Sequence, residues 1–292
     1  LRLAVRPARL PGPCGAGGAG PPAGEGGVGV SVPMSPTGPA PYYTDGTVTL
    51  YRGDMREVLP TLGIEPDCVI ADPPYGETSL EWDRWPSNWP GFIARFASSM
   101  WCFGSMRMFL DRGAELAKYW NLSQDVVWRK GHGPGIAADR FRRVHEHVLH
   151  WYRGGWNLVY KDPQRAPYDG RDSRHGYSRS GADGHTGALK SGYRCVDDGT
   201  RLVTSVIEVP SMWRRGAVHP TEKPVGIIDP LIRYACPPGG TVLDPFAGSG
   251  STAVAARLSG RRAVLIEANE RYCELIARRL SQDVLPLGGV PA

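Results

Sequence analysis

One segment constrains this chain more than any other. Residues 241–243 read as a short apolar strand. It runs into Asp244-Pro245-Phe246-Ala247-Gly248-Ser249-Gly250-Ser251 and leaves as a helix over 252–258. A glycine-rich turn between a parallel strand and a helix lets a ligand approach backbone amides at the positive helix end. The next strand, 262–267, ends on Glu267, which lies 17 residues after Gly250. A carboxylate there suits hydrogen bonds to the two hydroxyls of a ribose. A phosphate-binding loop needs Lys after its last glycine, but Ser251 follows Gly250, which argues against a nucleoside triphosphate. A plain strand-to-helix turn would explain the glycines but not Glu267.

A second strand end carries a different turn. Residues 67–71 are short and continuously apolar, as in a buried parallel sheet, and run into Asp72-Pro73-Pro74-Tyr75. Asp72 and the Pro73 carbonyl are acceptors whose direction the prolines hold, and Tyr75 offers a face for stacking. That set suits a planar amine, although a rigid Pro-Pro turn with a surface tyrosine would read the same. Strands are expected at 47–51, 106–110, 125–128 and 145–152. Helices are expected at 54–59, 90–99, after 110, at 225–235 and at 271–280. Strands alternating with helices predict an α/β fold with a doubly wound, mostly parallel sheet.

The remaining segments read differently. Residues 1–33 hold 9 Gly and 6 Pro, too little apolar surface to offset the entropy of ordering. A disordered leader is expected over 1–41. It has no apolar h-region of a secretory signal. The first methionine is Met34, and Arg outnumbers Lys 29 to 5, so the leader is expected to be read-through in a GC-rich genome. Residues 153–216 lose apolar periodicity and carry 11 Lys/Arg against 7 Asp/Glu, within a chain of net charge +5. Such a local excess attracts a polyanion, unless it is only a solvated surface. A short tail is expected over 284–292.

Other features narrow the function by exclusion. The six cysteines, Cys14, Cys68, Cys102, Cys195, Cys236 and Cys273, form no CxxC pair. That argues against a zinc ribbon and a disulfide framework, and suits a reducing cytoplasm. No run approaches the roughly 18–20 apolar residues of a membrane span. His145-Glu146-His147-Val148-Leu149-His150 lacks the second histidine of a HExxH zinc motif and patterns as a strand, so no metal site is expected. Trp82, Trp85 and Trp89, which follow the Pro-Pro turn, read as core packing in preference to a lid over that turn.

Taken together, the two turns resemble those of the amino-group DNA methyltransferases that use S-adenosylmethionine. Asp72-Pro73-Pro74-Tyr75 is similar to that family's catalytic signature, and the run from Asp244 to Ser251 to its methionine-pocket signature. Arg52-Gly53-Asp54 ahead of the first, and His219-Pro220-Thr221-Glu222-Lys223-Pro224 ahead of the second, also match. The order, with the catalytic turn first, matches the permuted β class. The resemblance covers about residues 45–152 and 217–280. It implies a Rossmann-like methyltransferase domain with a catalytic half at 42–152 and a cofactor-binding half at 217–283. Between them, 153–216 would be a target-recognition insert.

The resemblance also implies roles. Asp72, Pro73, Pro74 and Tyr75 would hold the target base. Phe246, Gly248 and Gly250 would shape the methionine pocket, with Asp244 near the amino group. Glu267 would hold the ribose, Asp54 the adenine amine, and Lys223 would border the cofactor. Adenine N6 is the expected target, because Asp in place of Ser begins the catalytic turn. Cytosine N4, a protein glutamine amide and a DNA-binding-only relative stay open as alternatives. Double-stranded DNA is the expected partner; a homodimer and a paired restriction endonuclease stay open. Arg171, Arg174, Arg179, Arg194, Arg214 and Arg215 are expected to contact phosphates. Replacing Arg171 and Arg174 by Ala should therefore weaken binding to all DNA sequences and flatten its salt dependence by about two charges' worth of slope. Fluorescence anisotropy across a salt series measures this, and an unchanged slope would assign both residues to a solvated surface.

Overall fold

The computed structural model describes residues 38–131, 139–167, 199–211 and 222–282. In chain order the elements are β1 (Tyr43–Thr44), β2 (Val48–Arg52), α1 (Met55–Leu62), β3 (Cys68–Ala71), α2 (Trp89–Ile93), β4 (Ser99–Gly104) and α3 (Met106–Ala117). There follow β5 (Asn121–Arg129), β6 (His145–Tyr152), β7 (Arg165–Pro167), β8 (Thr200–Leu202), β9 (Val206–Glu208) and α4 (Val225–Ala235). The last are β10 (Thr241–Asp244), α5 (Ser251–Leu258), β11 (Arg262–Glu267) and α6 (Glu270–Gln282).

Nine strands form one sheet in the order β1-β2-β11-β10-β3-β4-β6-β5-β9, while β7 and β8 pair separately. From β2 to β4 every neighbouring pair is parallel. The sheet is wound on both faces, and the alternation of single strands shows why. Cys68 and Ile70 of β3 face a layer that includes Ile228 of α4, Ala253 of α5 and Ile276 of α6. Val69 and Ala71 face the opposite layer, with Leu59 of α1, Trp89 of α2 and Met108 of α3. All four residues of β3 are buried, as a continuously apolar strand requires.

Parallel pairing sets the carboxyl ends of β2, β11, β10, β3 and β4 along one edge. β6 runs antiparallel to β4 and pairs Gly104 with His147, so the start of β6 reaches the same edge. β5 follows, with Trp128 opposite Glu146. β9, from the segment read as loop-rich, adds parallel to β5 through Trp128 and Ile207.

Two local expectations are corrected. The strand expected at 106–110 is the first turn and a half of α3, and the strand is Ser99–Gly104 instead. Ser105 caps the helix by accepting from the Met108 amide at 3.0 Å. Met108, Phe109 and Leu116 are buried at helical spacing, while Met106 and Leu110 face solvent. The helix expected over 90–99 is the single turn and a half of α2. Of the three tryptophans, Trp89 is fully buried and Trp82 is 44% exposed. No helix among the described residues is long and apolar enough to cross a membrane.

A buried strand residue and an exposed helix residue have different consequences for stability. Leu243 is fully buried, so Leu243→Ala should cost about 2–5 kcal/mol, a fall in Tm of roughly 5–15 °C. Leu110 is 77% exposed on α3, so Leu110→Ala should stay within about 0.5 kcal/mol. Thermal melts followed by circular dichroism decide both. A large loss at Leu110 would restore the buried strand.

Candidate active site

The edge where the parallel strands end opens into a cavity of about 1100 Å³. Small-molecule pockets typically measure about 300–1,000 Å³, so this one lies at the large end of that range. Its walls come from two turns on neighbouring strands, Asp72 to Tyr75 after β3 and Asp244 to Ser249 after β10.

The glycine-turn half is rich in acceptors. Gly248 and Gly250 have φ of 51° and 76°, left-handed conformations in which a side chain is strained. A Cβ on Gly248 would meet nothing nearer than the Phe246 carbonyl at 3.8 Å, so the missing side chain leaves the cavity wall open. Glu267 bridges the turn. Its Oε2 accepts from the Gly248 amide and its Oε1 from the Asn269 amide, both at 2.8 Å. Burial nevertheless raises its pKa, because these bonds only partly offset the lost hydration. Asp244 accepts from the Phe246 amide at 3.0 Å and from the Thr252 hydroxyl at 2.5 Å. Burial, with Asp72 and Glu267 adding negative charge nearby, raises its pKa from 3.8 to about 7. Phe246 is held from behind by Trp89, edge-on with ring centroids 5.3 Å apart. Asp54 lines the cavity and caps α1, accepting from the Arg56 amide at 2.8 Å.

The other half is built around Asp72. Its Oδ1 accepts from the Tyr75 hydroxyl at 2.8 Å, and its Oδ2 from Lys223 Nζ at 2.5 Å. Burial and then the charges of Asp72 and Glu146 push the Tyr75 phenol well above its ordinary pKa, so it stays protonated and donates. Pro73 and Pro74 line the same wall. The loop beyond is pinned by Asp83, which accepts from the amides of Gly76, Glu77 and Thr78 at 2.7–3.0 Å. Burial would raise the Asp83 carboxyl, but those bonds, with one from the Thr78 side chain, lower it.

Sequence reasoning missed two residues of this half, Lys130 and Glu146. They form a partly buried ion pair, and Lys130 Nζ lies 4.8 Å from the centre of the Trp128 ring. Glu146 Oε2 faces Lys223 Nζ at 3.7 Å. Burial would raise Glu146 and lower Lys223, but the opposite charges win, leaving Glu146 below and Lys223 above their ordinary ranges. Glu146 sits in the histidine-rich run weighed as a metal motif; the useful signal was its strand phase, which puts it on the buried face with Val148 and His150. Glu222, named above only as part of a signature, accepts from Arg279 at 2.8 Å; the same guanidinium reaches the Ser249 carbonyl at 3.1 Å. Lys223, expected at the cofactor, lines the shared cavity with its ammonium on Asp72. Arg171, Arg174, Arg179, Arg194, Arg214, Arg215 and His219-Pro220-Thr221 lie outside the described residues.

Known proteins match the chain and its fold. The N6/N4 methyltransferase family, described as DNA methylase, matches residues 66–278. The type II methyltransferase M.ScaI of Streptomyces caespitosus is 28% identical over 274 residues, covering 85% of this chain and 86% of that protein. The structure of M1.HpyAVI with S-adenosylmethionine superposes with a TM-score of 0.54 at 21% identity, over 80% of this chain and 99% of that one. The cytosine-N4-specific PvuII DNA methyltransferase gives 0.56 at 14% identity, over 84% and 90%. The chain belongs to the N6/N4 DNA methylases. It is an S-adenosylmethionine-dependent DNA amino-methyltransferase. The glycine-turn half fits that cofactor. A sulfonium and an ammonium bring positive charge, two ribose hydroxyls and an adenine amine bring donors, and Asp244, Glu267 and Asp54 would meet them beside the open backbone of Gly248.

The raised Asp244 carboxyl has a measurable consequence. A folded pKa above the unfolded one stabilises the fold fully below about pH 4, and that contribution is lost as pH rises through about 7. Asp244→Asn keeps an acceptor for the Phe246 amide and has no proton to lose. In cofactor-free protein, its Tm relative to the parent should rise between pH 4 and 7, by up to about 4 kcal/mol in stability, and level off above. A difference independent of pH would mean that Asp244 ionises normally in the fold.

Proposed function

We propose that this chain moves the methyl group of S-adenosylmethionine to the N6 amine of an adenine flipped out of duplex DNA. The observation that carries this reading is the sharing of one cavity by the Asp72 acceptor and the acceptor-rich Gly248 turn. In this reading Glu267 holds the ribose hydroxyls, Asp54 the adenine amine and Asp244 the amino group. Phe246, Gly248 and Gly250 shape the methionine end. When bound, the cofactor supplies an electrophilic methyl group.

The residues around Asp72 prepare the other reactant. An exocyclic amine is paired and stacked inside the duplex, so it must leave the helix to be reached. Its lone pair is delocalised into the ring, which makes it a poor nucleophile. Hydrogen bonds from its N–H groups to Asp72 and the Pro73 carbonyl draw the nitrogen toward a tetrahedral shape and release that pair. Tyr75 holds the base by its ring face, while its hydroxyl keeps Asp72 aimed. In-line positioning and fixed dipoles then do most of the catalytic work; the bond between methyl and sulfur would break as that to nitrogen forms, the methylated nitrogen would give up one proton to water, and no covalent intermediate forms on the protein.

Asp at the start of the catalytic turn supports adenine through the resemblance stated above. Cytosine N4 is the second reading, because the fold is shared with the cytosine-N4-specific PvuII enzyme. The arginines of the 153–216 segment are proposed to track phosphates, and a type II restriction-modification role follows the naming of M.ScaI.

Asp72→Asn keeps the shape of the side chain and removes the charge that the amine needs. Single-turnover methyl transfer should fall by about 10²–10³, with cofactor affinity by calorimetry little changed. Transfer at the parent rate would remove Asp72 from the active site. Mass spectrometry of nucleosides from methylated DNA decides the base. N6-methyladenine is expected, and N4-methylcytosine would establish the second reading.

A further inference from the structure

Both oxygens of Asp72 are already engaged, by the Tyr75 hydroxyl and by Lys223 Nζ. An arriving amine therefore competes with the ammonium for Oδ2. A displaced ammonium would gain little from water, because the side chain is buried and the incoming base would fill the cavity it lines. Lys223 is 7% exposed, and its Nζ lies 5.4 Å from the centre of the Phe103 ring and 5.8 Å from that of Tyr75. A buried charge must exchange one partner for another, because desolvation without pairing is prohibitive.

Glu146 is placed to be that second partner. Its Oε1 is held by Lys130, which aims the carboxylate. Its Oε2 is shielded from solvent, accepts no hydrogen bond and stands 3.7 Å from Lys223 Nζ. An ordinary charge-assisted bond is about 2.8 Å long. A shift of the ammonium by roughly 1 Å makes it, within reach of rotation about the terminal bonds of lysine. Glu146 itself is 8% exposed and lines the cavity.

We propose that Glu146 is the receiving site for Lys223: the target amine takes Oδ2 of Asp72 as Lys223 transfers its ion pair to Oε2 of Glu146. The proposal rests on the reading of Asp72 as the acceptor of the target amine. The exchange also sorts bases. An edge bearing N–H donors replaces the ammonium, whereas the carbonyl edge of thymine or guanine sets lone pairs against the carboxylate. Glu146 and Lys130 are thus positioning residues that act through Lys223, and neither touches the reacting nitrogen.

The test compares two duplexes carrying the recognised site, which methylation sequencing of DNA from expressing cells supplies. One holds the natural target base, the other the same base lacking its exocyclic amine. Without the amine, Lys223 has no reason to leave Asp72. Glu146→Gln should weaken binding of the amine-bearing duplex by about tenfold and of the amine-free duplex by less than about twofold, a coupling within the usual range for interacting groups. Glu146→Asp keeps the charge but draws it back by one methylene. It should give a smaller loss, again on the amine-bearing duplex alone, and serves as the probe if the Gln protein melts early. Equal losses on both duplexes would make Glu146 a structural residue, and no loss on either would also overturn the exchange. Methylation of the natural duplex by the parent protein, measured in parallel, tests the underlying reading by itself.

Discussion

The parallel ladder between β3 and β10 holds the site together. Val242 pairs with Cys68 and Leu243 with Val69, so two segments far apart in the chain end side by side. Asp67 clamps the start of the ladder, its carboxylate accepting from the Thr241 amide at 2.7 Å and its own amide donating to the Thr241 carbonyl at 2.9 Å. With the register held there, Asp72 and Asp244 emerge at one edge and share one cavity. Chain order has no part in this. A permuted sequence builds the same site because a ligand meets strand ends, whatever the order in which ribosomes make them.

The cavity divides by charge. Asp244 and Glu267 stand at one end with their pKa values raised by burial, each satisfied mainly by neutral amide and hydroxyl donors. Two under-compensated carboxylates favour a ligand that brings positive charge and hydroxyl donors, which matches S-adenosylmethionine. At the other end Asp72 and Glu146 are matched by Lys223 and Lys130. That end is balanced before any ligand arrives, so a neutral amine enters it by exchange. Removing one member of such a largely buried network leaves another charge unpaired, and this couples the four residues more tightly than their separations suggest.

The support around the two turns is apolar and rigid. Trp89 stands behind Phe246 and edge-on to Trp85, whose ring nitrogen donates to Glu115 at 2.9 Å. Asp83 ties down the loop after Tyr75 through three amides. Side chains that must meet a base and a cofactor in line need such backing, since small displacements erode the benefit of positioning.

Much of the fold and half of the site were legible in the sequence, because those features are local. The apolar strands, the glycine turn, the Pro-Pro turn and Glu267 each depend on a few adjacent residues whose conformational preferences act directly. Legibility failed at 99–110, where two short apolar runs, Ser99–Gly104 and the start of α3, have no periodicity to separate them. It failed again at Lys130, Glu146 and the ammonium of Lys223. A charge on a strand carries no mark of its partner, and these partners are 16, 77 and 151 residues apart. The two turns that wall the cavity follow from local chemistry, because backbone geometry within a turn comes from its own prolines and glycines. Which charges face one another across the cavity is set by strand register and burial, which exist only in the assembled sheet.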